Sequence, residues 1–255
     1  MYLILFGIIQ GLTEFLPVSS SGHLQLLYNI FGLSTDNLML SIVLHVATLM
    51  SVLVVYRADI IKLIKHPLCN TNISLAKATV PTVIVVLLLK NTLYKLFGGF
   101  GIVFAFLISA ILLALADYKN NSATNLQDIT NIKLTTKQCT LIGMTQGLAC
   151  VPGISRSGST ISCAMMQGVD SNTATKFSFL LSIPIICASL IYEIMHGGSL
   201  VEISILWLSV SFVCAFVVGI FAIKWLTKLT KIGKLHYFSY YLMILCTIYI
   251  ILNLV

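Results

Sequence analysis

The chain has 255 residues, of which 58% are hydrophobic and only 9% are charged, and its mean hydropathy is +1.00. A water-soluble domain of this composition would expose large apolar patches, so the composition excludes a soluble globular fold and predicts one integral-membrane domain over residues 1–255. The net charge of +7 is explained by lysines of predicted cytoplasmic loops and gives no indication of nucleic-acid binding.

In chain order, two kinds of apolar segment alternate. Segments 1–32 and 139–168 are each broken by a cluster of Pro, Gly and Ser, which membranes tolerate only where protein or a water cavity covers the free backbone groups. These two segments are predicted to be re-entrant hairpins of two half-helices each. Six uninterrupted segments are predicted to span the membrane: about 38–56, 73–97, 101–118, 173–192, 203–226 and 235–255.

Basic residues predict the direction of the spans, because Lys and Arg are retained in the cytoplasm. The loops after the first and fifth spans carry them: Arg57, Lys62, Lys65 and Lys77, then Lys224, Lys228, Lys231 and Lys234. The segment after the fourth span carries Glu193, His196 and Glu202 with no basic residue, which suits the outer side. Both ends of the chain are therefore expected outside.

The two halves of the chain share a plan. The string Gly7–Leu12 (GIIQGL) aligns with Gly143–Leu148 (GMTQGL), and the same offset pairs two serines and one glycine of the first break with those of the second. A hairpin plus three spans makes an odd number of crossings, which predicts an inverted repeat of halves 1–118 and 139–255 whose hairpins meet near the membrane midplane. The alternative is that glycine-rich similarity reflects ordinary helix packing.

Two charged residues lie inside the predicted hairpins. Glu14 is the only carboxylate in either, and Arg156, one of two arginines in the chain, lies at the second break. Ionised groups at membrane depth are costly and indicate function, and a guanidinium suits phosphate oxygens. The alternatives are a protonated Glu14 that joins helices, and an Arg156 that reaches the interface or simply pairs with Glu14. Gln10 lies one helical turn before Glu14 and can share a ligand with it.

Hydroxyl residues crowd both breaks. They precede apolar half-helices, whose amino-terminal N–H groups attract anions, so they are predicted to bind phosphate, although plain helix capping is the alternative for each one. They are Ser19, Ser20 and Ser21, then Ser155, Ser157, Ser159 and Thr160. His23 follows Ser20 by one turn, as an acid, base or nucleophile or as a hydrogen-bonded core residue. His45 has a weaker claim, and Lys176 and Pro184 have roles only in shape.

The strings Gln10–His23 (QGLTEFLPVSSSGH) and Pro152–Thr160 (PGISRSGST) resemble the two signatures of the undecaprenyl-diphosphate phosphatase family, the bacitracin-resistance proteins. The resemblance extends along the whole chain, including Lys176–Pro184 (KFSFLLSIP), where family members usually have Arg in place of Lys176. It implies a bacterial inner-membrane hydrolase with an outward-facing site. The reaction implied is conversion of undecaprenyl diphosphate to the monophosphate with a divalent cation, which recycles the lipid carrier of peptidoglycan synthesis and confers bacitracin resistance.

Carried over by position, the resemblance implies catalytic roles for Glu14, Ser20, His23 and Arg156. In our own hypothesis Ser20 is the first choice of nucleophile and Glu14 is its base or a metal ligand. His23 is then a proton donor or acceptor, or alternatively the nucleophile itself. It also implies that Gln10 and Glu14 hold the cation, Mg²⁺ or Ca²⁺. Gln10 leaves Glu14 as the sole carboxylate, which Mg²⁺ accepts when substrate phosphates complete its shell.

Two other classes of protein remain open. Inverted repeats with broken helices are typical of secondary transporters, so a transporter of lipid-linked phosphate or of a small anion is the main alternative. A structural membrane scaffold is the other, although it gives no purpose to a buried Glu14 and Arg156. Faces of small residues permit a homodimer without requiring one.

Overall fold

The computed structural model describes residues 2–32, 38–97, 101–118, 129–196 and 204–254. These residues form eleven α-helices and one short 3₁₀ turn (Ile129–Asn131), and they contain no strand, so the predicted all-α class is confirmed for them. The helices are α1 (Tyr2–Thr13), α2 (Ser20–Phe31), α3 (Leu38–Val55), α4 (Arg57–Lys65), α5 (Asn70–Phe97), α6 (Gly101–Tyr118), α7 (Thr136–Leu148), α8 (Arg156–Met166), α9 (Ser171–His196), α10 (Ile205–Lys231) and α11 (His236–Leu254).

Two pairs of short helices stand where the sequence predicts broken hairpins. Helices α1 and α2, and likewise α7 and α8, have 11 to 13 residues each. At 1.5 Å per residue each is about 17–20 Å long, too short to cross a hydrocarbon core of about 30 Å. The second helix of each pair begins at a serine cap, since Ser19 accepts a hydrogen bond from the amide of Gly22 and Ser155 from that of Gly158.

Four of the described helices, α5, α6, α9 and α10, are long and apolar enough to cross a membrane. Helix α3 meets this criterion only together with α4, from which it is bent by 76°. Helix α11 is apolar, but its stretch from His236 to Ile251 is shorter than a full span. The described chain therefore has four or five membrane-capable helices, and the six predicted spans stay a prediction. The predicted ends at residues 203 and 255 lie outside the described residues.

Helix α4 corrects the expectation of a simple basic loop after the first span. It is amphipathic, with Leu63 buried and with Ile61 and Ile64 exposed beside lysines. The sequence did not predict this helix, because nine residues between two apolar segments are too few to show a helical periodicity. Lys77, expected in the same loop, lies inside α5, which begins at Asn70.

Each hairpin packs against a long helix from the other half of the chain, α1 against α10 and α7 against α5. Glycine permits both contacts. A Cβ atom on Gly7 would lie 2.4 Å from the carbonyl oxygen of Ser211, and one on Gly143 would lie 2.0 Å from that of Ala78. Because no Cβ fits at such distances from backbone, larger residues at either glycine would push the helices apart.

The breaks of the two hairpins touch each other. The amide of Gly153 donates to the hydroxyl of Ser21 at 3.3 Å, and the hydroxyl of Ser157 donates to the carbonyl of Leu16 at 3.4 Å. These bonds satisfy backbone groups that no helix satisfies at a break. They also bring the side chains of both breaks to one place inside the helix bundle.

Candidate active site

Glu14 is the centre of the buried polar cluster. It directly follows α1, in the break of the first hairpin, and its side chain is almost fully buried. One carboxylate oxygen accepts hydrogen bonds from the amide nitrogen of Gln10 at 3.0 Å and from the hydroxyl of Ser20 at 2.7 Å. Ser20 thus has a carboxylate at the distance that proton transfer to a general base requires.

Arg156 completes the cluster from the second hairpin. It is the first residue of α8, and its Nη2 atom donates to the other carboxylate oxygen of Glu14 in a buried ion pair. Its Nη1 atom is also buried, and it has no hydrogen-bond partner among the described residues. A buried donor without a partner is costly, so this arm of the guanidinium is available to an anion that enters the site.

The structure therefore brings four of the predicted site residues into direct contact: Gln10, Glu14, Ser20 and Arg156. A hydroxyl and a guanidinium in contact with one carboxylate, which can act as a base, can support transfer of an acyl or phosphoryl group. Glu14 and Arg156 are 142 positions apart. Their contact is the convergence that the repeat of the two hairpins predicts.

His23 is close to Ser20 in sequence, but its ring forms hydrogen bonds with Ser19 and Tyr241. Its ring is buried in the first turn of α2, where Nδ1 lies 2.8 Å from the carbonyl oxygen of Ser19. Its Nε2 lies 2.7 Å from the hydroxyl of Tyr241 in α11, and the planes of the two rings are parallel to within 5°, with centroids 5.7 Å apart. Both ring nitrogens are thus engaged away from Ser20 and Glu14.

Several hydroxyls predicted to bind phosphate form hydrogen bonds with the backbone, and their role toward phosphate stays a prediction. Ser19 and Ser155 are the helix caps already described, and each also lies within hydrogen-bond distance of the serine two positions later, at 3.3 Å and 3.4 Å. The capping alternative thus describes both cap residues. Ser21 is exposed and accepts from the amide of Gly153 in the facing hairpin.

Two further candidates lie deeper in α8. The hydroxyl of Thr160 is 2.6 Å from that of Ser178 in α9 and also bonds back to the carbonyl of Arg156. The hydroxyl of Ser159 is buried and has no partner among the described residues. Among the described residues, Ser159 is the one member of the predicted phosphate-binding set whose hydroxyl is buried without a partner. Because folded proteins rarely leave such a group unpaired, the Ser159 hydroxyl is a candidate to bind a ligand.

A small enclosed cavity of about 10 Å³ adjoins the ion pair, with room for about one water molecule. Its lining is Glu14, Phe15, Arg156, Ser157, Ser178, Phe179 and Ser182. Sequence reasoning assigned Ser178 and Ser182 no site role. They are four residues apart, which places both on one face of α9. This spacing is the sequence feature that could have predicted a polar face there.

The site offers a divalent cation two side chains with oxygen ligands, Gln10 and Glu14. The amide oxygen of Gln10 is buried with no partner among the described residues, next to the carboxylate of Glu14. Within the same residues, no group of three or more His, Cys, Asp or Glu side chains is placed to hold a metal ion. Two oxygen ligands fit Mg²⁺ when substrate phosphates supply others.

The remaining polar candidates form separate pairs. His45 Nδ1 lies 3.0 Å from the carbonyl oxygen of Ser41 and 4.0 Å from a carboxylate oxygen of Glu193. Lys176 pairs with Asp59 of α4 at 3.2 Å, which joins α9 to the bent end of α3. Neither pair lines the cavity beside Glu14.

A buried ion pair held between two broken hairpins, among helices apolar enough for a bilayer, defines a helical membrane protein with an internal polar site. Comparison with known families then gives its relationship. The chain belongs to the family described as bacitracin resistance protein BacA, whose model matches residues 3–248.

Individual relatives agree with this assignment. The undecaprenyl-diphosphatase of Carboxydothermus hydrogenoformans is 38% identical, with 95% of this chain and 93% of the relative covered. That of Christiangramia forsetii is 39% identical over 93% of this chain and 92% of its own. Undecaprenyl-diphosphatase 3 of Bacillus cereus is 38% identical over 93% and 91%. The resemblance stated from the two sequence signatures is thereby confirmed.

Proposed function

We propose that this protein hydrolyses undecaprenyl diphosphate to undecaprenyl monophosphate and inorganic phosphate at the site around Glu14 and Arg156. The family and the names of the relatives support this activity, and with it a role in bacitracin resistance and in recycling the lipid carrier of the cell wall. The membrane-capable helices suit a substrate whose tail stays in lipid while its diphosphate enters from the side.

Ser20 is the nucleophile of this proposal and Glu14 is its base. The 2.7 Å bond between the Ser20 hydroxyl and the Glu14 carboxylate is the observation that carries the assignment. The Ser20 oxygen attacks the terminal phosphorus, its proton passes to Glu14, and the bond from that phosphorus to the bridging oxygen breaks. Undecaprenyl monophosphate leaves. Water then attacks the phosphoserine, phosphate is released, and a proton returns to the Ser20 oxygen.

Arg156 neutralises the charge of the transferred phosphoryl group. Its Nη1 atom is buried and has no partner among the described residues, and it lies at the amino-terminal end of α8, where the helix dipole favours an anion. Ser159 is a further candidate donor because its buried hydroxyl has no partner among the described residues. Gln10 and Glu14 would hold a divalent cation, which when bound supplies positive charge to the phosphate oxygens.

Phosphate release from purified protein in detergent tests the reaction, with undecaprenyl diphosphate as substrate. We expect release by the wild type, loss in Ser20→Ala, and near-normal release in Ser41→Ala, a matched serine of α3 that hydrogen bonds outside the site. A transporter without hydrolase activity releases no phosphate, so that alternative is decided by the wild type alone. Full turnover by Ser20→Ala would remove Ser20 from the mechanism.

The nucleophile is identified by trapping the phosphoenzyme with substrate labelled in the terminal phosphate. A phosphoserine survives acid and resists mild base, whereas a phosphohistidine is lost in acid. We expect an acid-stable label that maps to Ser20 and is absent from Ser20→Ala. An acid-labile label on His23 would reverse the assignment.

The proposal includes an inverted repeat with six spans. Two sets of close contacts support a two-fold relation between the halves: Gly7 meets Ser211 and Gly143 meets Ala78. One offset of 136 relates the two glycines, and a second of 133 relates their partners, so both hairpins use matching positions on matching helices. Such pairing of each hairpin with the opposite half fits a two-fold relation, and the odd number of crossings predicted for each half makes the repeat inverted.

Charge supports an orientation in the bacterial inner membrane with the site open to the outer side. Lys65 of α4 and Lys228 of α10 lie on exposed basic ends, whereas Glu193 lies near the end of α9. Single cysteines at these three positions, in a variant without the native cysteines, test it in intact cells. An impermeant thiol reagent should label only the cysteine at position 193, and labelling at 65 or 228 would reverse the orientation.

A further inference from the structure

The side chain of His23 is held by hydrogen bonds at both ring nitrogens. A carbonyl oxygen only accepts, so the 2.8 Å contact with Ser19 requires that Nδ1 carries the hydrogen. In the neutral ring, Nε2 then accepts the hydrogen of the Tyr241 hydroxyl at 2.7 Å. The two hydrogen bonds and the edge contact with Phe106 leave the imidazole of His23 little freedom to turn.

The residue that His23 holds has an unusual backbone. Ser19 has a φ of 67°, and it is the one residue other than glycine with positive φ in the part of the chain that the structure describes. Such a conformation persists only where surrounding contacts fix it. The carbonyl of Ser19 accepts from the ring of His23 and also from the His23 amide, at 3.3 Å.

The next residue in the chain is Ser20, the proposed nucleophile. The Ser19–Ser20 peptide turns the chain from the break into α2 and so determines where the Ser20 hydroxyl points. That hydroxyl reaches Glu14 at 2.7 Å. A small rotation of the peptide would remove it from the carboxylate, because alignment within a few tenths of an ångström decides whether such a group reacts.

We propose that Tyr241 and His23 form a positioning pair, which holds the Ser19–Ser20 peptide so that the Ser20 hydroxyl faces Glu14. Tyr241 acts through His23, and His23 acts through its Nδ1–H on Ser19, so neither touches the phosphorus. This inference rests on the proposed role of Ser20 and adds Tyr241, 218 positions from His23, to the determinants of the reaction.

Helix α11 is a firm support for this pair. The hydroxyl of Ser239, two residues before Tyr241, donates to the carbonyl of Ala110 in α6 at 2.8 Å, and Leu242 is fully buried. Helix α11 packs along α6, which in turn packs on the hairpin helix α8. The Tyr241 hydroxyl is therefore fixed relative to both hairpins, as a positioning group must be.

Replacement of His23 by asparagine and by alanine separates positioning from chemistry. The Nδ2 of asparagine takes the place of Nδ1 and can donate to Ser19, but it cannot act as a base, acid or nucleophile. We expect kcat of His23→Asn to exceed that of His23→Ala by about tenfold or more, the rate equivalent of one hydrogen bond, with little difference in KM. Equal loss of kcat in both variants would overturn the inference.

Tyr241→Phe tests the hydrogen bond between Tyr241 and His23, since it keeps the aromatic ring and removes only the hydroxyl. We expect kcat to fall by about three- to tenfold, the effect of one lost hydrogen bond, and we expect no further fall when the change is made in His23→Asn. Tyr240→Phe, the same change at the exposed neighbouring position, is the matched control and should keep wild-type turnover. An equal fall in both backgrounds would show that Tyr241 does not act through His23.

Ser20→Ala, measured in the same assay, keeps the two proposals apart. If Ser20→Ala turns over normally, the proposed nucleophile is wrong, whatever the His23 variants do. If Ser20→Ala is inactive and His23→Asn is as inactive as His23→Ala, only the positioning role falls. Thermal unfolding in detergent verifies that each variant compared is folded.

Discussion

The arginine of the second hairpin gives the most direct test of the site. Replacing Arg156 by methionine removes two donors, one bound to Glu14 and one buried and free for phosphate. In the proposed mechanism Glu14 is neutralised when it takes the Ser20 proton, which releases the first donor to the phosphoryl group as well. Hydrogen bonds to charged groups contribute about 1.5–3 kcal/mol each, so the loss of both in the transition state costs about 3–6 kcal/mol. We therefore expect kcat/KM to fall by about 10²- to 10⁴-fold.

The assay is phosphate release from undecaprenyl diphosphate at several substrate concentrations, with thermal unfolding measured on the same samples. Arg156→Met leaves Glu14 buried without its cation, which can cost about 3–5 kcal/mol of stability. Arg156→Lys keeps the charge and loses the forked geometry, so it separates the two effects. Its kcat/KM should fall by about 10- to 100-fold, about one charge-assisted bond, with the fold retained.

The matched control is Lys77→Met, which removes an exposed cation whose ammonium group donates to the hydroxyl of Thr136 in α7 at 3.3 Å. Exposed charges contribute little, about 0–1 kcal/mol, so turnover and stability should stay near the wild type. A folded Arg156→Met protein with kcat/KM within about threefold of wild type would refute the role of Arg156 in neutralising phosphate charge.

Three further changes test other parts of the proposal. Glu14→Gln keeps the shape of the side chain and removes the base, so kcat should fall by about 10²- to 10⁴-fold in the phosphate assay, and normal kcat would exclude Glu14 as base. Gly143→Ala places a Cβ 2.0 Å from the carbonyl of Ala78, so stability should drop by about 1–3 kcal/mol, and an unchanged melting temperature would contradict the close contact. Gln10→Glu adds a second carboxylate, so the Mg²⁺ concentration for half-maximal activity should fall, and an unchanged titration curve would argue against a cation between residues 10 and 14.

The elements that the sequence predicted best are those with a local cause. Proline, glycine and serine clusters at Pro17–Gly22 and Pro152–Gly158 predicted both breaks, because these residues free or redirect the backbone wherever they occur. The sequence did not predict helix α4, because that helix has no comparable local signal. Its lysines suggested a loop, and its helical shape depends on packing of Leu63 against the bundle, which no local signal reports.

The site residues that the sequence predicted are those that the internal repeat marks. The contact between Glu14 and Arg156 could be expected because the internal repeat relates the two breaks, whatever their distance along the chain. The internal repeat does not mark Tyr241 or Ser178. Each is one of several polar residues in a largely apolar helix, and a tyrosine in α11 resembles those that anchor helices at membrane interfaces. Only the contact of its side chain with His23 of the first hairpin distinguishes Tyr241 from its neighbours.

The division of the site between the two halves has an energetic consequence. A carboxylate or a guanidinium alone in a membrane interior costs several kcal/mol, and the pair becomes tolerable only when the two meet. Glu14 comes from the first half and Arg156 from the second, so each half on its own would hold an uncompensated charge. Docking of the two hairpins is therefore also the step that forms the site. We expect a chain whose hairpins fail to meet to lose both its stable core and the reactivity proposed for Ser20.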